Sequence, residues 1–467
     1  MNKHLSILIA SAMGLAIATS ANAQEQTNGA LGVLDEAEIP AEVTATSEDP
    51  EAKEGEDTAA AFATAPAITM QYFRPQDQRG INMFEAPKEA GAPYTGFRLD
   101  WGAAFTQQFQ GITQSHAAQP VYDADGNRMN ALRDIGWGFN NAAANLYLNA
   151  QVAPGIRVAL TTYLSSRHHP EAWVKDGYFQ IDESPFDVEL FNNLMDYLTV
   201  KVGHFEINYG DAHFRRTDGG NAMHNPFVEN YIMDAFTTEI GAEVLFRTPG
   251  GLLAMGSVTG GEIRGQVQGA DRRSPSYIGK LGFDRQVSPM LRTRLTGSAY
   301  HTASSMSNTL YGGDRAGARY VDIMEGSNFA GRWNPGFRNS VTALQLNPFV
   351  KFGGLEFFGV AERASGQAAN ETEDRTWTQL AGDVVYRFLP QEQLYVGARY
   401  NTTSGELQGS LAEASIDRWQ LGAGWFITPN ILMKGEYVTQ QYNGFAPTDI
   451  RHGGKFNGFM FEGVVAF

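Results

Sequence analysis

The sequence predicts an all-β fold, a transmembrane antiparallel β-barrel of about 16 strands. Many short segments alternate apolar residues with polar or small ones and are bounded by turn residues, which is the pattern of β-hairpins. The chain has 467 residues, 51 glycines, 12% aromatic residues and a mean hydropathy of −0.29. After the N-terminus, no uncharged run approaches the about 20 apolar residues that a membrane helix needs. Alternating strands that cross a membrane have no such run.

The last segment, residues 455–467, shows the alternation most clearly. One face of its two-residue repeat carries Phe459, Phe461, Val465 and Phe467, and the other carries Met460, Glu462, Val464 and Ala466. Chain ends usually fray in water, so an aromatic strand without a polar tail is unusual in a soluble protein. We interpret it as the strand that closes a barrel, with its aromatic face in lipid and Glu462 facing a polar interior.

The chain divides into three predicted parts. Residues 1–23 have the charged start, short apolar core and Ala21-Asn22-Ala23 cleavage site of a secretory signal peptide, so the mature protein is expected to begin at Gln24. Residues 24–66 are rich in Asp and Glu, have Lys53 as their one basic residue, and are predicted to form a disordered periplasmic tail. Residues 67–467 are predicted to form the barrel.

Sixteen segments carry the strand pattern. They are residues 94–106, 142–152, 156–164, 175–182, 197–205, 237–247, 252–263, 277–283, 291–301, 341–352, 355–363, 377–388, 394–400, 417–427, 431–441 and 456–467. Short connections centre on residues 154, 250, 288, 353, 390 and 429, and long polar ones lie near 111–136, 206–235, 302–339, 405–414 and 443–455. Short periplasmic turns and long extracellular loops produce this alternation. A β-propeller would need a blade-length repeat, which we do not find.

The alternation also assigns the charged residues to the lumen, since a Lys or Arg on the lipid face costs about 2–4 kcal/mol at mid-depth. The basic residues predicted to face inward are Arg98, Arg157, Lys201, Arg247, Arg292, Arg294, Arg387, Arg399, Arg418 and Lys434. The acidic ones are Asp100, Glu239, Glu243, Glu356, Glu362, Asp383, Glu436 and Glu462. Because the two signs nearly balance, the wall by itself predicts no strong ion selectivity.

The segment 201–236 concentrates histidines and arginines and is too long for a turn. One interpretation is that it folds into the lumen and forms a constriction, because fixed charges in a pore select ions by sign. The alternatives are a solvated extracellular loop, or arginines paired to Asp211 and Asp218. The predicted pore and constriction residues are His213, Arg215, Arg216, Lys201, Arg292, Arg294, Arg399 and Arg418.

Composition and motifs exclude several other classes of function. The absence of cysteine excludes disulfides, zinc–thiolate sites and cysteine nucleophiles. A net charge of −16 argues against nucleic-acid binding. We find no nucleophile elbow, phosphate loop or dinucleotide motif, so neither a cofactor nor an enzymatic activity is expected. Residues 123–127 resemble the start of a calcium loop but lack its bidentate Glu, and His168 and His169 diverge on an extended segment, so no metal site is expected.

Two segments resemble a known family. Residues 198–210, LTVKVGHFEINYG, and residues 421–430, LGAGWFITPN, are similar to segments of the phosphate-selective porin O and P-like proteins, which are Gram-negative outer-membrane porins. The resemblance implies a trimeric, sixteen-stranded channel in outer-membrane lipid, and Phe467 as the signal read by the barrel assembly machinery. The mixed-sign lumen wall and the acidic tail depart from the family pattern.

The expected function is passive diffusion of small hydrophilic solutes or ions, with an anion or phosphate preference implied by the resemblance. A barrel filled with water spares such solutes the cost of crossing lipid. The alternatives are a surface-exposed binding or adhesion barrel and an outer-membrane hydrolase.

Overall fold

The computed structural model describes residues 67–88, 92–168, 171–261, 273–313, 316–324, 330–410 and 412–467. The predicted signal peptide at 1–23 and the predicted acidic tail at 24–66 lie outside the described residues.

Sixteen antiparallel strands form one closed barrel, which confirms the predicted fold class. The first eight strands are β1 (Arg98–Ser115), β2 (Gly138–Ala153), β3 (Ile156–Ser165), β4 (Trp173–Ile181), β5 (Leu198–Glu206), β6 (Thr238–Arg247), β7 (Leu252–Thr259) and β8 (Ser276–Ser288). The other eight are β9 (Leu291–Thr302), β10 (Val341–Phe352), β11 (Leu355–Gly366), β12 (Arg375–Phe388), β13 (Leu394–Glu406), β14 (Glu413–Thr428), β15 (Ile431–Asn443) and β16 (Lys455–Ala466). Each strand pairs with its neighbours in the chain, and β1 pairs with β16.

The closing strand has the two faces that its sequence predicts. Phe459, Phe461, Val465 and Phe467 are exposed on the outer surface, whereas Met460, Glu462, Val464 and Ala466 are buried. The amide of Phe467 donates to Ala103 O on β1 and its carbonyl accepts from Ala103 N, at 2.9 and 3.0 Å. The terminal residue is therefore part of the seam that closes the barrel.

The first strand is longer than predicted and the loop after it is shorter. The expected strand ended at residue 106, but β1 continues to Ser115. In this extension Gln108 and Gln110 face the interior and are buried, and Gly111 lies under the ring of Trp137. Polar inward residues and a glycine remove the apolar alternation, so sequence reasoning misplaced this boundary.

Connections at one rim are short, as expected of periplasmic turns, except for residues 182–197 between β4 and β5. That connection contains the one α-helix of the described residues, α1 (Glu189–Met195). The opposite rim carries the long loops, of which residues 207–237 and 303–340 are the longest. Three short 3-10 helices lie outside the strands in the described part of the chain, at Gln78–Gly80, Ser166–His168 and Ala212–Arg215.

The outer surface of the barrel is apolar. Leu380, Val384, Trp419, Leu421 and Trp425 are all exposed there, as the alternation predicted. No helix in the described part of the chain is long and apolar enough to cross a membrane. A closed barrel leaves no unpaired strand edge, and together with an apolar exterior this is the architecture of outer-membrane barrels. The chain is thus an outer-membrane protein of a Gram-negative bacterium, as predicted.

The lipid-facing surface gives a depth-dependent prediction. Leu421 lies between the exposed rings of Trp419 and Trp425 on β14, and Thr439 faces outward nearer the loop end of β15. We expect Leu421→Arg to lower the free energy of unfolding by about 2–4 kcal/mol and Thr439→Arg by at most about 1 kcal/mol. Reversible denaturant unfolding in lipid vesicles measures both values. Equal losses would contradict the assignment of Leu421 to the middle of the membrane.

Candidate functional site

The loop between β5 and β6, residues 207–237, folds into the barrel, and we call it the inward loop. Backbone amides of this loop donate to inward side chains of three strands: Val228 to Glu436 on β15 at 2.8 Å, Ile232 to Asn401 on β13 at 2.6 Å, and Met233 to Gln379 on β12 at 2.8 Å. The amide of Gly220 donates to Asn145 on β2, at 2.7 Å. Because β2 and β12–β15 lie on different sides of the barrel, the loop crosses the lumen.

Asparagine side chains give the inward loop its local shape. Asn225 accepts from the amide of Phe227 at 3.0 Å, and Asn230 accepts from the amide of Thr217 at 2.7 Å. Asn and Asp favour such backbone contacts in turns. The loop therefore satisfies its own backbone groups in the barrel interior, where an unpaired group would be costly.

The two arginines of the inward loop are both buried but differ in their surroundings. Arg215 Nη1 lies 3.5 Å from Glu356 Oε2 on β11. Arg216 Nε donates to Asp234 Oδ1 at 2.9 Å, and its Nη1 is 3.5 Å from Asp218. Both arginines are thus ion-paired inside the barrel, and Asp218 is one of the two partners named for the paired alternative. The other, Asp211, instead binds basic residues of the wall.

The wall arginines predicted for the pore mostly hold other protein groups. Arg399 makes a bidentate pair with Asp383, at 2.7 and 2.9 Å, and Arg294 binds Asp211 at 2.8 Å. Arg292 pairs with Asp284 at 2.7 Å. Arg418 donates to Gln440 on β15 and to the carbonyl of Asn230 in the inward loop, at 2.6 and 2.7 Å. Two of these contacts, Arg294 with Asp211 and Arg418 with Asn230, join β9 and β14 to the inward loop and so fix the position of the loop.

A second segment, residues 67–88, lies in the barrel at the end with the short turns, and we call it the N-terminal segment. The amide of Gln78 donates to Pro429 O in the β14–β15 turn at 3.0 Å. Asn82 donates to Glu356 at 2.6 Å, and Lys88 donates to Leu198 O at 2.6 Å. These partners lie on opposite parts of the rim, so the segment extends across the periplasmic mouth.

Between these two segments and strands β2–β6 lies a cavity of about 200 Å³, which we call the lumen cavity. Three of the predicted pore residues, His213, Arg216 and Lys201, line it. The other five lie elsewhere: Arg215, Arg292, Arg294, Arg399 and Arg418. The inward loop therefore packs mainly against β9–β15 and leaves open space along β2–β6.

The half of the lumen cavity near the long loops is lined by ion pairs of alternating sign. Lys175 on β4 lies 3.3 Å from Glu206 and also contacts Asp218. Glu206 binds His213 Nδ1 at 2.5 Å, and Arg216 faces Asp218. Each carboxylate in this group has a basic neighbour, so the local charge is largely balanced.

The half near the periplasm is different, because three arginines there are held by neutral groups. Arg157 donates to the side-chain oxygens of Asn149 and Gln180, at 2.7 and 3.1 Å. Arg74 donates to Gly80 O and Phe214 O, at 3.1 and 2.8 Å, and Arg247 donates to Ala86 O. Within the described ranges, none of the three forms an ion pair with a carboxylate. Burial lowers the pKa of Arg74 to about 10, so this guanidinium is still charged at neutral pH.

Sequence reasoning found part of this arrangement. It assigned Arg157 and Arg247 to the lumen wall but not to the constriction. Lys175 had a weak signal, as the first residue of a predicted strand. Arg74 had none, because residues 67–93 show no strand periodicity from which a position in the lumen can be read.

No protein-family model matches the chain, and no curated protein matches its sequence. Among solved structures, it is similar to an anion-selective porin from Comamonas acidovorans, at 10% identity and a TM-score of 0.48 over 79% of this chain and 100% of that one. It is also similar to OmpT of Vibrio cholerae in its trimer form, at 9% identity and 0.47 over 80% and 100% of the two chains. A third similar structure is the outer-membrane channel DcaP of Acinetobacter baumannii, at 9% identity and a TM-score of 0.47 over 80% of this chain and 99% of that one. Similarities at this level carry no argument about what this chain transports.

The N-terminal segment predicts an effect of truncation. Phe73, Arg74, Phe84 and Glu85 line the lumen cavity. Deleting residues 24–88 after the signal peptide should roughly double the single-channel conductance, since conductance follows the width of the narrowest part of a pore. Deleting only residues 24–66 is the matched control and should leave conductance unchanged. An equal conductance of the two truncated proteins would show that the segment does not limit flow.

The bidentate pair on β12 and β13 predicts a stability effect. Arg399→Ala leaves Asp383 buried without its cation, which should cost about 3–5 kcal/mol in the free energy of unfolding. Arg363→Ala, at an exposed outward arginine on β11, is the control and should cost less than about 0.5 kcal/mol. Denaturant unfolding of the refolded variants measures both. A loss below 1 kcal/mol for Arg399→Ala would contradict a structural role for the pair.

Proposed function

We propose that the chain is an outer-membrane porin through which small hydrophilic solutes diffuse passively, with a preference for anions, phosphate among them. The observation that carries the anion preference is the set of three lumen-cavity arginines, Arg74, Arg157 and Arg247, held by carbonyl and amide oxygens. The outer-membrane barrel with a partly open, charge-lined interior supports the porin role.

The three arginines act on an anion through charge that no direct ion pair neutralises, although Glu206 and Glu85 lie near enough to Arg74, and Glu85 and Asp182 to Arg247, to weaken it. Two opposite charges about 4 Å apart attract by about 4 kcal/mol at an effective dielectric of 20. Salt screens exposed charges over about 8 Å at physiological ionic strength, so the attraction is local to the cavity. The electrostatic energy of an anion in the periplasmic half of the cavity is therefore more favourable than that of a cation. The anion can still leave readily, because the attraction comes from several sites of moderate strength.

Most other lumen charges contribute little to selectivity under this proposal. Arg294, Arg399 and Lys434 each have a buried carboxylate partner, within 2.8 Å, so their fields largely cancel. Asp176 also lines the lumen cavity, and its negative charge opposes the effect of the arginines. The expected preference is consequently moderate, and it depends on the arginines rather than on the net charge of the wall.

The proposal has two further parts. The working form is a homotrimer embedded in outer-membrane lipid, as the family resemblance implies. Phe467 is the residue that the barrel assembly machinery reads, and its exposed ring at the seam with β1 supports this role.

The test of the anion preference is the reversal potential of the purified protein in a salt gradient. The double variant Arg157→Ala/Arg247→Ala should shift the reversal potential toward the value for a non-selective or cation-preferring pore. Arg285→Ala, at an exposed outward arginine of β8, should leave it unchanged. No shift in the double variant would contradict the proposed anion site, and absence of any conductance in the parent protein would contradict the porin itself.

The same measurement separates the two loop arginines. Arg216 lines the lumen cavity and Arg215 lies behind it against Phe349 and Phe358. Arg216→Ala should therefore reduce anion preference more than Arg215→Ala does. The reverse order would mean that the ion path runs on the Arg215 side of the inward loop.

A further inference from the structure

Aromatic rings line the periplasmic half of the lumen cavity together with its basic side chains. Arg157 Cζ lies 5.7 Å from the ring centre of Phe73 and 5.8 Å from that of Tyr178. Lys201 Nζ also lies 5.8 Å from the ring centre of Tyr178. A cation within about 6 Å of a ring is attracted to its face, so the rings help to hold these cations. The rings also place apolar surface beside groups that attract an anion, and an inorganic anion such as phosphate makes no use of that surface.

Another arginine of the barrel shows what this combination of groups binds within the protein. Arg399 Cζ lies 4.3 Å from the ring centre of Phe227 and 4.1 Å from that of Tyr231. Its guanidinium donates two hydrogen bonds, of 2.7 and 2.9 Å, to the carboxylate of Asp383, and the Tyr231 hydroxyl donates to the same carboxylate. Arg157 also lies between two rings, but amide oxygens and not a carboxylate hold its terminal nitrogens. It therefore offers to a solute the same groups that Arg399 offers to Asp383.

Arg157 also has a donor to spare. Its side chain is buried, with 8% exposed, and it borders the lumen cavity. Among the residues that the structure describes, its Nε has no hydrogen-bond partner. A buried donor without an acceptor costs free energy, and a guanidinium binds a carboxylate best through two parallel N–H groups. A carboxylate that enters the cavity is thus the acceptor that this side chain lacks.

The wall beside Arg157 leaves room for a ring attached to that carboxylate. Tyr178 pairs with Ala159 on β3 and with Gly203 on β5, so both of its neighbours across the strands are small. On the inner face of β4, Tyr178 comes two residues before Gln180, whose side chain accepts from Arg157 at 3.1 Å. A carboxylate bound at Arg157 consequently has its attached group next to the ring of Tyr178.

We infer that the periplasmic half of the lumen cavity binds small aromatic monocarboxylates, with the carboxylate on Arg157 and the ring beside Phe73 and Tyr178. Aromatic rings pack at centroid distances of about 4.5–7 Å, and guanidinium groups stack on them. The cavity of about 200 Å³ is large enough for one ring, since a protein cavity of about 150 Å³ holds benzene. Asp176, which also lines the cavity, repels a second anionic group. This inference rests on the proposed anion preference and names the class of solute.

The test compares three acids of equal charge: benzoate, cyclohexanecarboxylate and acetate. Saturation-transfer NMR titrations with the purified, folded protein in detergent micelles measure the dissociation constant of each. The constant for benzoate should be lower than that for acetate by about tenfold, and lower than that for cyclohexanecarboxylate by about threefold, because only benzoate can stack. Equal constants for benzoate and cyclohexanecarboxylate would overturn the inference.

Binding is measured without conduction, so the site and the channel are tested separately. A protein that gives chloride current steps in a bilayer but binds the three acids equally would overturn the aromatic site and leave the porin intact. A protein that prefers benzoate but gives no current would support the site and contradict the proposed porin.

Variants of Tyr178 separate the effect of the ring from that of the charge. Tyr178→Leu should weaken benzoate binding about fivefold more than acetate binding, because acetate has no ring to stack. Tyr178→Phe keeps the ring and should keep the preference for benzoate. Phe357→Leu, at an exposed outward ring on β11, is the matched control and should bind as the parent protein does. Equal weakening of benzoate and acetate in Tyr178→Leu would show that the ring only positions Arg157, and would overturn the inference.

Discussion

The pairing of buried charges between the barrel wall and the inward loop is the interaction on which the rest of the structure depends. Arg294 binds Asp211, Arg418 binds the carbonyl of Asn230, and Lys434 binds Glu462 together with three loop carbonyls. A charge removed from water is tolerated only when it is paired and hydrogen-bonded. The buried charges of the wall strands are therefore stable only when the inward loop is in place, and these contacts hold the loop against β9–β15.

Tyrosine hydroxyls reinforce this attachment. Tyr231 donates to Asp383, Tyr320 donates to Glu436, and Tyr209 donates to Glu362, at 2.9, 2.6 and 3.0 Å. Each bond joins a loop residue to a wall carboxylate, and a hydrogen bond to a charged acceptor is stronger than one between neutral groups. Because the loops occupy that side of the barrel, the open space lies along β2–β6.

This arrangement sorts the basic residues of the lumen by their partners. Arg399 is ion-paired with a carboxylate, and this pair stabilises the barrel. Arg157 is hydrogen-bonded to amide oxygens, so its positive charge still acts on ions in the lumen cavity. The two have the same residue type and the same inward position on a strand. Their difference lies in which groups the neighbouring strands and loops bring to them.

Sequence reasoning predicted the two faces of a strand correctly where the alternation within that strand alone is enough to assign them. The alternation of Phe459 and Phe461 with Met460 and Glu462 is a local property, and it predicts both faces of β16. It failed where evidence is spread along the chain: Arg418 meets Asn230, which is 188 residues away, and Arg74 meets Phe214, which is 140 residues away. Periodicity within a segment contains no information on such contacts, so the paired arginines could not be separated from the others in advance.

The central proposal is that the barrel is a channel through which small solutes and ions pass. Its most direct test is the current through purified wild-type protein in a planar lipid bilayer. The account predicts discrete, ohmic current steps. A protein that inserts as a folded barrel and gives no steps would contradict it.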